Sequence, residues 1–94
     1  MEVLYKNFDK NHIPDNEAHY FNLIQSIIEN IDKHSTFVIT KNPRSYTFRL
    51  STSNTIVNPI IKQINIINTT YGLSDVEFSK SMKSGNIFWQ LQIN

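Results

Sequence analysis

The stretch TFVITKNPRSYTFRLS, Thr36 to Ser51, decides the fold. Its first part is rich in β-branched residues, and Phe37 and Ile39 alternate with Thr36, Val38 and Thr40. A two-residue apolar period is the signature of a strand that buries one face. Asn42, Pro43 and Arg44 then signal a turn, because proline presets φ and withholds a ladder donor. From Ser45 to Ser51 the alternation returns, with Tyr46, Phe48 and Leu50 on one face and Thr47, Arg49 and Ser51 on the other. The stretch predicts a β-hairpin of Thr36–Lys41 and Ser45–Ser51.

On its N-terminal side the period changes to that of a helix. Tyr20, Leu23, Ile24, Ile27, Ile28 and Ile31 recur at i, i+3, i+4 and i+7, which predicts an amphipathic helix from about Asn16 to Asp32. Asp15 or Asn16 is the expected cap, and Glu17 suits the positive end of the helix dipole. On the C-terminal side, Pro59 is tolerated only in a first helical turn, and Asn58 is a good cap. The second helix is therefore placed at about Pro59 to Tyr71, possible from one turn earlier, with Ile60, Ile61, Ile64, Ile67 and Tyr71 facing the core. Gly72 is its natural terminator. A second hairpin follows. Asp75 to Lys80 directs Val76 and Phe78 inward, Ser84-Gly85-Asn86 turns, and Ile87 to Ile93 returns with Ile87, Trp89, Leu91 and Ile93 inward.

The expected fold is α+β: a two-layer sandwich with two helices on one face of a four-stranded antiparallel sheet, in the order αββαββ. Residues 1–14 form an N-terminal arm or edge strand, and residues 15–94 a single α+β domain. If Val3, Leu4, Tyr5 and Phe8 make a strand, the order becomes βαββαββ, a ferredoxin-like sandwich with an added strand. Both topologies are consistent with the pattern.

Ninety-four residues make one small domain, and 39% hydrophobic with 18% charged residues excludes a disordered chain. The absence of cysteine excludes disulfides, thiolate metal sites and cysteine nucleophiles. No apolar run approaches the ~20 residues that span a bilayer, so no membrane association is expected. Met1 to Asp15 lacks the apolar stretch of a signal peptide, which makes a cytoplasmic setting the default. His12, His19 and His34 are dispersed, with no H-x-x-x-H or H-x-H spacing, so no metal site is expected. Gly72 and Gly85 stand in different turns and cannot build a phosphate-cradling loop. There is no G-x-S-x-G elbow and no S-x-x-K pair. No catalytic residue and no cofactor are assigned.

Charge is more informative in its distribution than in its total. Residues 1–32 hold six acids and two bases, and residues 33–94 hold seven bases and two acids, for a net charge of +1. Lys41 and Arg44 flank the first turn, Arg49 lies on its return strand, and Lys80 and Lys83 flank the second turn. Basic tips can reach phosphates, although edge and turn lysines also serve simply to blunt aggregation. The sequence pI near 8.0 lies below the usual range for a dedicated nucleic-acid domain, above about 9. On the sheet face away from the helices the pleat places Val38, Thr40, Thr47, Arg49, Glu77, Ser79, Phe88, Gln90 and Gln92. Phe88 beside Arg49 is an aromatic–cation pair of the kind that anchors protein interfaces and also stacks bases, unless the N-terminal arm covers it through Leu4, Tyr5 or Phe8.

The hairpin–helix–hairpin order, with Phe37 opening the first hairpin after Asp32, resembles part of a LAGLIDADG endonuclease domain in topology alone. The small residues of that family's helix motif are absent, His34 stands where its acid belongs, and nuclease activity is not implied.

The expectation from sequence is a small non-catalytic protein-binding regulator or inhibitor, of the type found in mobile elements and immunity systems. Its interface residues would be Phe88, Arg49, Val38 and Gln90. The alternative is a nucleic-acid-binding protein that contacts phosphates through Lys41, Arg44, Arg49, Lys80 and Lys83. A protein partner is expected first, nucleic acid second, and a homodimer is possible because the two parts of the chain carry opposite charge.

Overall fold

Glu2–Lys6 forms the first strand, β1, and alternates exposed and half-buried residues as a half-covered edge strand should. In this computed structural model, which describes residues 1–52, 57–72, 78–81 and 85–92, β1 is followed by a 3-10 turn over Lys10–His12 and helix α1, Asp15–Ile31. The first hairpin is β2, Thr36–Lys41, with β3, Ser45–Ser51, as the alternation predicts. Helix α2 spans Val57–Thr70, and β4, Ser79–Ser81, pairs with β5, Asn86–Gln92. The part of the second hairpin expected at Asp75, Val76 and Glu77 lies outside the described residues, as do Lys83, Ser84 and Ile93.

The five strands form one sheet in the order β1-β2-β3-β5-β4. The chain is α+β with two helices, but the sheet is mixed, which corrects the expectation of a four-stranded antiparallel sheet. β1 pairs parallel with β2, from Glu2 opposite Thr36 to Lys6 opposite Thr40. A parallel pair needs a long crossover, and α1 supplies it. The element order is βαββαββ, yet the ferredoxin-like arrangement does not follow. That fold splits its βαβ unit with an intervening strand, whereas here β1 and β2 are direct neighbours.

Both helices pack on one face. Tyr20, Phe21, Ile24 and Ile28 of α1 and Ile60 and Ile64 of α2 share a core with Phe37, Ile39, Tyr46, Phe48, Leu50, Ile87 and Trp89. Phe37, Phe48 and Trp89 stack nearly parallel, with centroids 5.1 Å apart for Phe48–Trp89 and 5.8 Å for Phe37 with each. The buried stripe of α1 centres on Tyr20, Phe21, Ile24 and Ile28, and Leu23, Ile27 and Ile31 are only half-buried. Pro14 is the N-cap of α1 and makes no side-chain cap bond. Asp15 and Glu17 instead lie in the first turn, where the dipole favours acids. α2 ends as expected at Gly72, whose φ of 75° is left-handed and whose N–H donates to the Thr69 carbonyl.

Asp32 joins the α1–β2 turn to the end of β3. Its carboxylate accepts from Thr52 Oγ1 at 2.6 Å and from the His34 N–H at 3.0 Å, while its carbonyl accepts from Ser35 Oγ. The Thr52 hydroxyl first, and the His34 amide second, hold the carboxyl below its ordinary value of 3.8. A lowered folded pKa stabilises the fold above the unfolded value, and that contribution is lost as pH falls through the folded pKa. Asp32→Ala should therefore be less stable than wild type at pH 7. The difference should shrink as pH falls below the ordinary carboxyl value of 3.8, as two urea-melt series would read.

Candidate functional site

The register assembles the sheet face that neither helix covers. Leu4 stands opposite Val38, Val38 opposite Arg49, Arg49 opposite Phe88, and Phe88 opposite Ser79, so one row crosses all five strands. Lys6, Thr40, Thr47 and Gln90 form the next row, and Glu2, Thr36, Ser51, Asn86 and Ser81 the row on the other side. Directly opposed side chains on one face lie about 5 Å apart at Cβ, close enough for the Arg49 guanidinium to meet the Phe88 ring. Phe88 is 37% exposed and Leu4 39%, whereas Val38, between the larger Leu4 and Arg49, is 4% exposed. Of the three large hydrophobic residues exposed among those described, two are in this row; the third, Ile66, is on α2.

All four residues expected at a protein interface are thus brought together: Val38, Arg49 and Phe88 in one row and Gln90 beside it. The N-terminal arm does not cover Phe88. Tyr5 and Phe8 pack on the helix side, where Phe8 meets the rings of Tyr5 and Tyr46 edge-on. Leu4 lies on the uncovered face but three strands from Phe88, roughly 14 Å at the usual strand spacing. Residue alternation alone placed Leu4 with the arm; its membership of this row depends on the parallel register of β1.

The basic residues do not converge. Lys41 and Tyr46 mark one end of the β2–β3 ladder, whereas Ser81 and Asn86 close β4–β5 beside Ser51 at the other end. From Tyr46 to Ser51 is about 17 Å at ~3.4 Å per residue. Lys41 Nζ donates to the Asn42 carbonyl at 3.0 Å and sits 5.0 Å from the centroid of the Tyr46 ring, on the helix side. Arg44 is exposed in the turn. Lys80 is opposite Ile87, and Lys83 lies outside the described residues. Arg49 belongs to the uncovered face, away from both turns.

Other chemistry is sparse. His12 Nδ1 lies 3.5 Å from Asp9 Oδ2 in an exposed turn, and the His19 ring tilts against Tyr71. Among the described residues no three His, Asp or Glu side chains are grouped to hold a metal ion, and no helix is long and apolar enough to cross a membrane. No protein-family model matches the chain, and no similar curated protein was found. The arrangement on the uncovered face is suited to non-covalent recognition: a ring, a cation and short polar side chains on a rigid strand framework.

Proposed function

We propose that the protein is a small non-catalytic binding module, a regulator or inhibitor, that holds a protein partner against the uncovered face of its sheet. One observation carries this reading: the register sets Arg49 directly opposite Phe88 on a face that neither helix covers. Aromatic rings and arginines are the residues that most often anchor protein interfaces. Polar Thr40, Thr47 and Gln90 beside them supply a rim. Nucleic-acid binding through the basic tips is the weaker reading, because Lys41 is turned toward Tyr46 and lies at the end of the sheet opposite to Ser81 and Asn86.

The test begins with a partner captured on immobilised wild-type protein. Its affinity is then measured for wild type, Phe88→Ala and Lys62→Ala, the last altering the exposed side of α2. Phe88→Ala should weaken binding by about fivefold or more, corresponding to over ~1 kcal/mol, with Lys62→Ala unchanged. Equal affinity for all three would place the interface elsewhere. A labelled oligonucleotide bound at ~50 mM salt and released at ~200 mM would instead support phosphate contacts.

A further inference from the structure

The outer edge of the sheet at β1 is self-complementary. The Glu2 N–H donates to the Ser35 carbonyl, which fixes the phase of the parallel ladder. Glu2, Leu4 and Lys6 spend their backbone groups on β2, and the N–H and C=O of Val3 and Tyr5 point outward. No described residue takes those outward groups in a turn, loop or cap bond. After Lys6 the chain leaves the edge at Asn7, whose φ is 69°. Phe8 folds to the helix side. Among the described residues this open edge is the five-residue segment EVLYK.

We infer that two copies of the chain pair through this edge, β1 against β1, antiparallel about Leu4. In that register Val3 of each copy is opposite Tyr5 of the other. These are the residues with outward groups, so each pair exchanges two N–H to C=O bonds as an antiparallel hydrogen-bonded pair requires. Leu4 meets the second copy's Leu4 on the uncovered face, in the closer non-hydrogen-bonded geometry, and two exposed leucines shield each other. Glu2 of each copy is opposite Lys6 of the other. Hydrogen-bond phase, apolar contact and charge all select this one register. A shift by one residue would oppose outward groups with spent ones, and a shift by two would break the Glu2–Lys6 match. The product is one continuous ten-stranded sheet with twofold symmetry, in which the Phe88 patches remain open, three strands from the junction. An edge this short buries less than the ~1,000 Å² of a stable interface, so the dimer is weak and concentration-dependent.

The charge match gives a test that misfolding cannot mimic. Sedimentation equilibrium is run from about 10 μM to about 1 mM on wild type, Glu2→Lys, Lys6→Glu and an equimolar mixture of the two variants. Wild type should self-associate. Each single variant opposes like charges at both symmetric positions and should dimerise about tenfold more weakly or worse. In the mixture every position is again matched, lysine to glutamate, and association should return toward the wild-type level. Phe88→Ala should dimerise like wild type, which separates this edge from the partner-binding face. A monomeric wild type at the highest concentration would overturn the inference. So would a wild-type dimer indifferent to both charge reversals, or a mixture as weak as its components.

Discussion

Phe48→Ala is expected to remove a large share of the protein's folding stability. Phe48 is fully buried in the middle of the sheet. It is opposite Ile39 on one side and Trp89 on the other, stacks on Phe37 and Trp89, and meets the ring edges of Phe21. Helix α1 and strands β2 and β5 lose contact when it is truncated, and a sheet held on both sides cannot collapse into the space. Truncating a core phenylalanine typically costs about 3–5 kcal/mol. A chain of this length holds roughly 5–14 kcal/mol in total. The midpoint of thermal unfolding by circular dichroism should fall by about 15 °C or more. A loss of less than ~1 kcal/mol would mean that Phe48 does not anchor the contact between the layers.

The second large effect is expected from Tyr20→Phe, a change of one oxygen atom. Trp89 Nε1 donates to Tyr20 Oη at 3.2 Å, and Tyr20 Oη donates to Asn68 Oδ1 at 2.6 Å. Indole is a donor only, so the Trp89–Tyr20 bond can run only one way and leaves the phenol hydrogen free for Asn68 Oδ1. All three side chains are at most 2% exposed, and Asn68 Nδ2 has no partner among the described residues. Deleting the hydroxyl strands a donor on Trp89 and an acceptor on Asn68, at about 1–3 kcal/mol each. Tyr20→Phe should therefore lose about 2–5 kcal/mol in urea unfolding. Adding Asn68→Leu removes both polar atoms of the amide and should recover part of that loss. A neutral single variant, or a double variant less stable than the single, would contradict the network.

The same phenol sets the alkaline limit of the fold. Burial pushes Tyr20 up to about 12 from an ordinary 10.0, with the Trp89 hydrogen bond opposing in part. Burial also raises Tyr46, and its hydrogen bond to Glu17 raises it further. Groups with raised folded pKa values leave stability intact below the unfolded value, near 10, and erode it as pH rises toward the folded one. The contribution of these two phenols should thus be intact up to about pH 10 and be lost above it, as urea melts across that range would read.

How much of this was legible in the sequence depends on whether the cause was local. The first hairpin was readable to the residue, because β2 and β3 alternate strictly and Asn42-Pro43-Arg44 separates them. α1 was readable in extent but not in its buried stripe: Phe21, between Tyr20 and Asn22, is drawn inward by the rings of Tyr46 and Phe48. Asn68 lies on the stripe of Ile60 and Ile64, and only its distant partner Tyr20, at the same depth, explains a buried amide there. The direction of β1 was not readable. A strand pairs parallel or antiparallel with the same alternation, and the outcome depends on where the α1 crossover delivers the chain. For the site, alternation put Phe88 and Arg49 on one face once β3 and β5 were neighbours, and the β3–β5 register set them directly opposite. That same adjacency placed the two basic turns at opposite ends, which no local pattern announces.

The most direct measurement is site-specific photocrosslinking in the protein's own cellular context. A photoreactive residue is placed at Gln90 beside the Phe88–Arg49 pair, and in a separate variant at Lys62 on the outer side of α2. If the uncovered sheet face is the interface, Gln90 yields a discrete protein adduct that Phe88→Ala abolishes, and Lys62 yields none. Adducts from Lys62 with none from Gln90, or a Gln90 adduct indifferent to Phe88→Ala, would contradict it.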